Sequence, residues 1–280
     1  MTAIGPVDYI VPTWNSARTL DLCLSSIEEH GRPLRIIVVD NHSDDGTREI
    51  AREHGCEIID DDVSLGSART KGLKAARTEW IGFVDSDVVL CKDWFDRISA
   101  FMDESTGAIH GEKLPVWEPF RTAHREHMDE VFSDGPLRKK SGQRGFTDNT
   151  LIRRELALRA DIERVNAFED YLITQEVLRA GYEWLHVPVF VDHHERWSTF
   201  LRKPGWHTAG LLWLLRNREL TLKKFLRTFL LNHSAWYLLD GLEKTTRYHD
   251  VRLLRMRLGQ LYYLWLGLVQ WERMFKLERT

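Results

Sequence analysis

Two aspartates separated by one serine, Asp85-Ser86-Asp87, close an apolar run in which Ile81, Phe83 and Val84 meet little polar interruption. Carboxylates are hard anionic oxygen donors, and a pair on one short loop suits Mg2+ or Mn2+ shared with a diphosphate. Such an ion neutralises phosphate charge and makes the diphosphate a better leaving group. A solitary D-x-D, short and common, is better read as a turn, with Asp85 capping it and Asp87 in solvent. Two other loops carry comparable chemistry: Pro12-Thr13-Trp14-Asn15, and the polar run DNHSDDGT at 40–47. Asp40 can accept a hydrogen bond from the ring N–H of uracil or guanine, which discriminates against bases lacking that donor. Arg69, in the first turn of its helix, can pair with a phosphate that also faces the positive helix end. Singly, Asp40 reads as a turn residue and Arg69 as a surface ion pair. Three such loops at three strand ends favour one shared site.

The elements that must position these residues follow from periodicity and punctuation. Short apolar, β-branched runs at 7–11, 34–39, 56–59 and 80–84 read as strands. Pro12 ends the first, and the fourth is apolar enough to be buried on both faces. Between them lie helical patterns: one capped by Asn15 or Ser16 with Leu20, Leu22, Leu24 and Ile27, one over 47–53 stopped by Gly55, and one opening at residues 64–69. Strands alternating with helices at this spacing indicate βαβ crossovers and a parallel sheet. Ligands of such sheets bind beyond the carboxyl ends of the strands, where Asp40 and Asp85 fall. The chain has no G-x-x-x-x-G-K-[ST] and no G-x-G-x-x-G, which counts against P-loop and dinucleotide-fingerprint readings.

The residues 11–15, 37–47, 66–72 and 83–87, in this order, resemble the inverting nucleotide-sugar glycosyltransferases of family 2. The resemblance covers residues 6–195 or so. It implies an α/β, GT-A fold: a Rossmann-like, mainly parallel sheet flanked by helices. It also implies that Pro12, Thr13 and Asp40 surround the base, with Asn15, Ser43, Gly66 and Arg69 on the donor side. Asp85, Ser86 and Asp87 then meet ribose, metal and diphosphate, with Mn2+ or Mg2+ as cofactor. The chain departs from the family pattern at Asn41-His42, where Asp-Gly is frequent, and at Ser64 and Thr70, where Asn is frequent.

Downstream, residues 109–114 read as a further strand. His124 and His127 are spaced to share a helix face as metal ligands, although nothing nearby completes a site and a solvated face accounts for them better. The run SDGPLRKKSGQRG at 133–145 has the composition of a loop able to close over a sugar diphosphate, or of an ordinary surface loop. Glu169 and Asp170 open a helix that Gly181 ends, and two acids in a first turn complement the helix dipole. The family resemblance assigns Asp170 as general base, taking the proton of an acceptor hydroxyl. A phosphate acceptor, already ionised, would dispense with that base. A strand at 187–191 ends in Asp192-His193-His194, and a neutral imidazole there can reach the metal opposite Asp87. The resemblance favours His194, with His193 second.

The chain's 280 residues and 43% hydrophobic content supply a sizeable core and exclude global disorder. A net charge of −3 conceals an asymmetry, because residues 201–280 hold 15 Lys and Arg against 6 Asp and Glu. From Trp206 onward the pattern is helical, with Leu211, Leu215, Leu222 and Leu226 on an apolar face and Arg216, Lys223 and Arg227 on a basic one. The longest apolar run, 261–269, is too short to span a bilayer. Basic amphipathic helices carrying Trp206, Trp213, Trp236, Trp265 and Trp271 suit an anionic membrane surface, with a helical subdomain or homo-oligomer interface as the alternative. Residues 1–14 show no basic start followed by an apolar core, so no signal peptide is expected. Cys23, Cys56 and Cys91 are odd in number and lack C-x-x-C spacing, which fits a reducing compartment.

These readings combine into an expected GT-A catalytic domain over 1–200 and a basic helical region over 201–280. The expected activity is sugar transfer from a nucleotide-sugar, a UDP-sugar ahead of a GDP-sugar. The acceptor would be a membrane-associated glycolipid, polysaccharide or polyprenyl phosphate, on the cytoplasmic face, with no nucleic-acid partner. A catalytically silent nucleotide-sugar-binding scaffold is the alternative from another class. A sugar-phosphate nucleotidyltransferase is the rival enzyme, although its usual glycine- and lysine-rich first loop is missing.

Overall fold

The computed structural model describes residues 4–165, 168–218 and 220–276, without the side chains of Asn232 and 271–276. The side chain of Trp271 and residues 1–3 and 277–280 therefore lie outside what is described. The chain divides into two compact units, 1–116 with 125–194 and 117–124 with 195–280. The expected division at residue 200 thus falls at 194/195, and the short segment 117–124 belongs with the helical unit.

The first unit opens with β1 (Val7–Thr13), α1 (Ala17–His30), β2 (Pro33–Asp40), α2 (Thr47–Glu53) and β3 (Glu57–Asp60). It continues through α3 (Leu65–Ala75), β4 (Trp80–Val84), β5 (Val88–Val89), α4 (Trp94–Ser99) and β6 (Thr106–Pro115). Next come α5 (Phe120–Val131), whose opening residues belong to the second unit, β7 (Leu137–Arg138) and β8 (Asn149–Arg153). The unit closes with α6 (Arg154–Arg159), α7 (Glu169–Arg179) and β9 (Glu183–His193). One sheet runs β3-β2-β1-β4-β8-β6-β9-β5, with β7 attached to β9. β1, β2, β3, β4, β6 and β9 point one way, while β5, β7 and β8 point the other. The carboxyl ends of the six co-directional strands therefore share an edge with the amino end of β8. That edge collects Thr13, Asp40, Asp85, Asp148 and His193.

Sequence chemistry accounts for these elements. All five residues of β4 are buried, as a two-faced strand requires, and each Ile or Phe side chain so placed contributes roughly 1.5–3 kcal/mol. Leu20, Leu24 and Ile27 form the buried stripe of α1 at helical spacing, whereas Leu22 lies off that stripe and is 47% exposed. Pro12, expected to end β1, lies inside it. Pairing of β1 with β4 stops at Ile10, so the proline's missing N–H falls where one neighbour has already departed.

In the second unit, α8 (Trp197–Arg216) starts nine residues before the expected Trp206 and carries Pro204 in its interior. The Phe200 carbonyl, deprived by that proline of its usual i+4 partner, accepts from Gln260 Nε2 at 3.4 Å. α9 (Leu222–Arg227), a π-helical stretch (Thr228–Ala235), α10 (Trp236–Tyr248) and α11 (Val251–Lys276) follow. A Cβ on Gly267 would fall 2.6 Å from the Gly205 carbonyl oxygen, so glycine there lets α8 and α11 approach closely. Asp240 is buried between Lys244 Nζ (2.8 Å) and Arg257 Nε (2.6 Å), which pins α10 to α11. Among the described residues no helix is long and apolar enough to cross a membrane.

Candidate active site

Asp85 leaves β4 with its amide donating to the Asp148 carbonyl (3.1 Å) and its own carbonyl accepting from Val88 N (3.0 Å). The Asp85-Ser86-Asp87 turn is thereby fixed from β8 and from its own far side. Ser16 occupies the N-cap of α1, but its hydroxyl pairs with Ser86 Oγ (2.9 Å) instead of capping the helix. Ser16 N donates to Thr47 Oγ1 (2.7 Å), so the loops after β1, β2 and β4 are bonded in sequence. The side chains of Asp85 and Asp87 remain 34% and 30% exposed, open to a ligand at the sheet edge.

Strand register decides which histidine faces this turn. β5 pairs antiparallel with β9, Val88 opposite His193, and His193 Nε2 lies 3.4 Å from Asp87 Oδ1. His194, the expected ligand, instead contributes main chain: its N–H donates to the Asp87 carbonyl (2.7 Å), and its carbonyl accepts from Arg18. The imidazole beside Asp87 is that of His193.

Arg69 is corrected in role. It is neither a surface ion pair nor open to a phosphate, since its side chain is only 2% exposed. Its guanidinium donates to Asp85 Oδ1 (2.8 Å), to the Thr147 carbonyl (3.2 Å) and to Glu169 Oε1, and lies 5.5 Å above the Phe83 ring. It bridges the turn after β4 to the first turn of α7 beneath the edge. One arginine shared between the buried Glu169 and the partly exposed Asp85 does not compensate both. Burial pushes Glu169 up to about 7 against the pull of Arg69. Burial, with Asp148 and Asp87 nearby, raises Asp85 as well, again opposed by Arg69.

Gly66 also serves packing. A Cβ there would fall 2.0 Å from the Ile162 carbonyl oxygen and 2.4 Å from that of Val165. Gly66 N donates to Val165 O (3.2 Å) and Ser67 N to Ser64 Oγ (3.0 Å). The amides of Gly66 and Ser67, in the first turn of α3, are thus occupied by the chain itself.

At the end of β2, Asp40 is fully buried. Its Oδ1 accepts from Thr13 Oγ1 (2.8 Å) and Ser43 Oγ (2.6 Å), and its Oδ2 accepts from Ser43 N (2.9 Å) and Arg48 (3.2 Å). Four donors match the capacity of a carboxylate. A base N–H can reach Asp40 only by displacing one of them, and Arg48, which also pairs with Asp60, is the long contact. Asn15 completes the bracket, its N–H donating to Ser43 Oγ (2.8 Å) and its Oδ1 accepting from Asp44 N (3.1 Å). Pro12 precedes this bracket within β1.

Asp170 lies buried in the first turn of α7, after Phe168 at a left-handed φ of 67°. Arg144 Nε donates to both of its oxygens, at 2.6 and 2.7 Å. Lys113 pairs with Asp148 across the neighbouring strands β6 and β8. Sequence reasoning had Glu169 only as a dipole complement and did not single out Arg144, Lys113 or Asp148. Their signal, a lysine within β6 and charged residues ahead of β8, is ordinary on its own. His124 and His127 join no cluster: among the described residues no group of three or more His, Cys, Asp or Glu is arranged to hold a metal ion unaided.

A largely parallel sheet flanked by helices, with a D-x-D turn at its carboxyl edge and an acidic helix start beside it, defines the GT-A class of glycosyltransferase fold. The chain belongs to glycosyl transferase family 2, whose family model matches residues 8–158. Glycosyltransferase AglE of Haloferax volcanii is 27% identical over 202 residues, 65% of this chain and 64% of AglE. The match therefore spans a little under two thirds of that relative. The mannosyltransferase PcManGT from Pyrobaculum calidifontis, solved in complex with GDP-Man and Mn2+, has a TM-score of 0.64 at 17% identity, covering 96% of this chain and 87% of that one. S. aureus TarS has a TM-score of 0.54 at 18% identity, covering 90% of this chain and 54% of that one. These two likenesses are of fold.

Proposed function

We propose that this protein transfers a sugar, with inversion, from a nucleotide-sugar donor to a hydroxyl of a membrane-associated glycolipid or polysaccharide. UDP-sugars are the first donor class to test and GDP-sugars the second. The observation that carries the reading is the Arg69 bridge, which ties Asp85 to the helix turn containing Asp170. Donor and base machinery, far apart in sequence, are thereby held to one edge.

In this reading Asp170 takes the proton from the acceptor hydroxyl as its oxygen attacks the anomeric carbon. The new carbon–oxygen bond forms as the bond to the diphosphate breaks, and the nucleoside diphosphate leaves with the bonding electrons. Asp85 and Asp87, with the His193 imidazole alongside, offer hard donors suited to Mn2+ or Mg2+. Two carboxylates with ligand phosphates are a usual way to hold such an ion, which fits a site not closed by protein side chains. When bound, that cation neutralises charge on the departing diphosphate. PcManGT was solved with GDP-Man and Mn2+, which supports the donor and metal class.

The membrane part rests on the second unit. Its exposed large apolar residues include Leu231, Leu239, Tyr262 and Val269, at 63%, 64%, 63% and 83% exposure. With the surplus of Lys and Arg over 201–280, they support peripheral contact with an anionic leaflet. Homo-oligomerisation through the same surface is the competing reading, and liposome binding separates the two.

The direct test is turnover of labelled nucleotide-sugars on a membrane-lipid extract, with Mn2+ or with EDTA. Metal-dependent release of nucleoside diphosphate and lipid-soluble label is expected. In Asp170→Asn, which cannot take the proton, turnover should fall about 10²-fold or more while donor affinity stays near normal. Tight donor binding without turnover on any acceptor fraction would favour the silent scaffold.

A further inference from the structure

The loop that binds Asp170 carries charge that the proton transfer and the departure of the diphosphate do not use. It follows β7, and four bonds dock it. Lys139 N donates to the Trp184 carbonyl (2.9 Å), Gly142 N to Gln175 Oε1 (2.7 Å), Gln175 Nε2 to the Gln143 carbonyl (2.8 Å) and Gly145 N to Thr174 Oγ1 (2.9 Å). Three of the four reach α7 one turn beyond Asp170. The loop's basic residues therefore have defined positions beside the candidate base.

Three cations lie close to one ring. Lys113 Nζ, Lys139 Nζ and the Arg144 guanidinium lie 5.7, 5.6 and 5.3 Å from the centroid of Phe146. Two of them are neutralised, Lys113 by Asp148 and Arg144 by Asp170. Lys139 forms no ion pair with a carboxylate among the described residues, although it is half-buried and burial lowers its pKa. Glu112 and Asp170 act on it only at a distance, without a direct ion pair, and the ring face adds little, so this partly desolvated charge is incompletely compensated. Arg144 is also incompletely used. It holds Asp170 through Nε alone, so its two terminal nitrogens keep the fork geometry that suits an oxyanion.

We propose that Lys139 and Arg144, both beside the Phe146 ring, form a subsite for an anionic group of the acceptor, a phosphate or a carboxylate. Occupation of that subsite draws Arg144 off Asp170. Arg144 Nε and the Tyr171 amide occupy three of the four acceptor positions of Asp170. A cation beside a carboxylate also opposes its taking up a proton, so the base is weak while Arg144 is in place. An acceptor oxyanion competes for the guanidinium, and the base is uncovered only when the correct acceptor is seated. The proposal rests on the reading of Asp170 as base and narrows the acceptor to an anionic glycan or lipid.

The test is calorimetric titration of the full chain with inorganic phosphate and, separately, with methyl β-glucuronide. Each is done with and without saturating UDP or GDP and Mn2+. Saturable binding that persists with nucleotide present is expected, and the arm that binds more tightly tells phosphate from carboxylate. Lys139→Gln and Arg144→Gln should each weaken it about tenfold or more, the loss of one charge-assisted contact. Asp170→Asn should tighten it several-fold, because Arg144 loses its internal competitor; a loop with a purely structural role predicts no gain. Lys139→Arg retains the charge and keeps most of the affinity, which guards against misreading a folding defect, whereas Arg144→Lys retains the charge without the fork and keeps only part of it. Binding that nucleotide abolishes would assign the cations to the donor diphosphate and overturn the acceptor subsite. Absence of binding by both probes, or equal affinity in all variants, would overturn it too. Failure of both nucleotides to bind would instead sink the donor reading, with the anion titration still legible.

Discussion

Arg69 stands 2.8 Å from Asp85 while its guanidinium is sealed from solvent, so the first aspartate of the D-x-D turn reaches the sheet edge already paired from below. The same guanidinium bonds Glu169, one residue before the candidate base. Donor-side and acceptor-side acids therefore share a single buried cation. Removing it should strand Glu169 in a poorly solvated setting and leave the partly exposed Asp85 unpaired. Arg69→Met is expected to lower unfolding free energy by about 3–5 kcal/mol, read by urea denaturation. A variant of normal stability with weakened nucleotide affinity would restore the phosphate role.

Asp87 stands at a partly exposed turn outside the core, and its loss leaves the core intact. Asp87→Ala should abolish transfer and the Mn2+-dependent part of nucleotide binding, with the melting temperature close to that of the parent chain. Full activity in EDTA would rule out a metal-dependent mechanism.

The two adjacent histidines should behave differently. His193→Ala removes the imidazole 3.4 Å from Asp87, and nucleotide affinity in Mn2+ should fall about tenfold, as for loss of a metal-side contact. His194→Ala keeps the main-chain bonds and should leave affinity nearly unchanged. Titration of both variants with nucleotide at fixed Mn2+ decides between them; the reverse ranking would return the role to His194.

Glu169 gives stability a pH dependence with a definite sign. Its pKa rises from 4.5 in the reference state to about 7 in the fold. Between those values the native state binds more protons than the unfolded state, so this contribution is complete below pH 4.5 and is lost as pH rises through 7. The loss should be on the order of 3 kcal/mol. Glu169→Gln has no such titration, so its unfolding free energy should decline less than that of the parent between pH 5 and pH 8. Parallel profiles from urea denaturation would contradict the assignment.

Leu231 and Leu239 are 63% and 64% exposed in the helical unit. The full chain should sediment with anionic liposomes at low salt, less with neutral ones, and retain part of that binding at high salt. Leu231→Glu with Leu239→Glu should lower liposome binding without changing nucleotide affinity. A parent chain that ignores anionic liposomes but dimerises through this face would place it at a subunit interface.

The amino-acid sequence by itself determined the alternation of strands and helices, the parallel character of the sheet and the placement of Thr13, Asp40 and Asp85 at strand ends. Those features follow from local periodicity, from turn residues and from the rule that crossovers return strands in one direction. Tertiary structure decided what each side chain does there. Arg69 has the sequence context of an exposed first-turn arginine, but the antiparallel β8 brings the Thr147 carbonyl over it, and α7 brings Glu169, so the guanidinium is enclosed. His193 and His194 are neighbours with opposite prospects, and only the pairing of Val88 with His193 across β5 and β9 selects the ring that faces Asp87. Arg144 and Asp170 belong to different elements, and their contact depends on the loop bonding to α7 through Thr174 and Gln175. Local pattern encodes which residues lie on an edge. Which of them touch is settled by long-range strand order, and strand order is not periodic in the sequence.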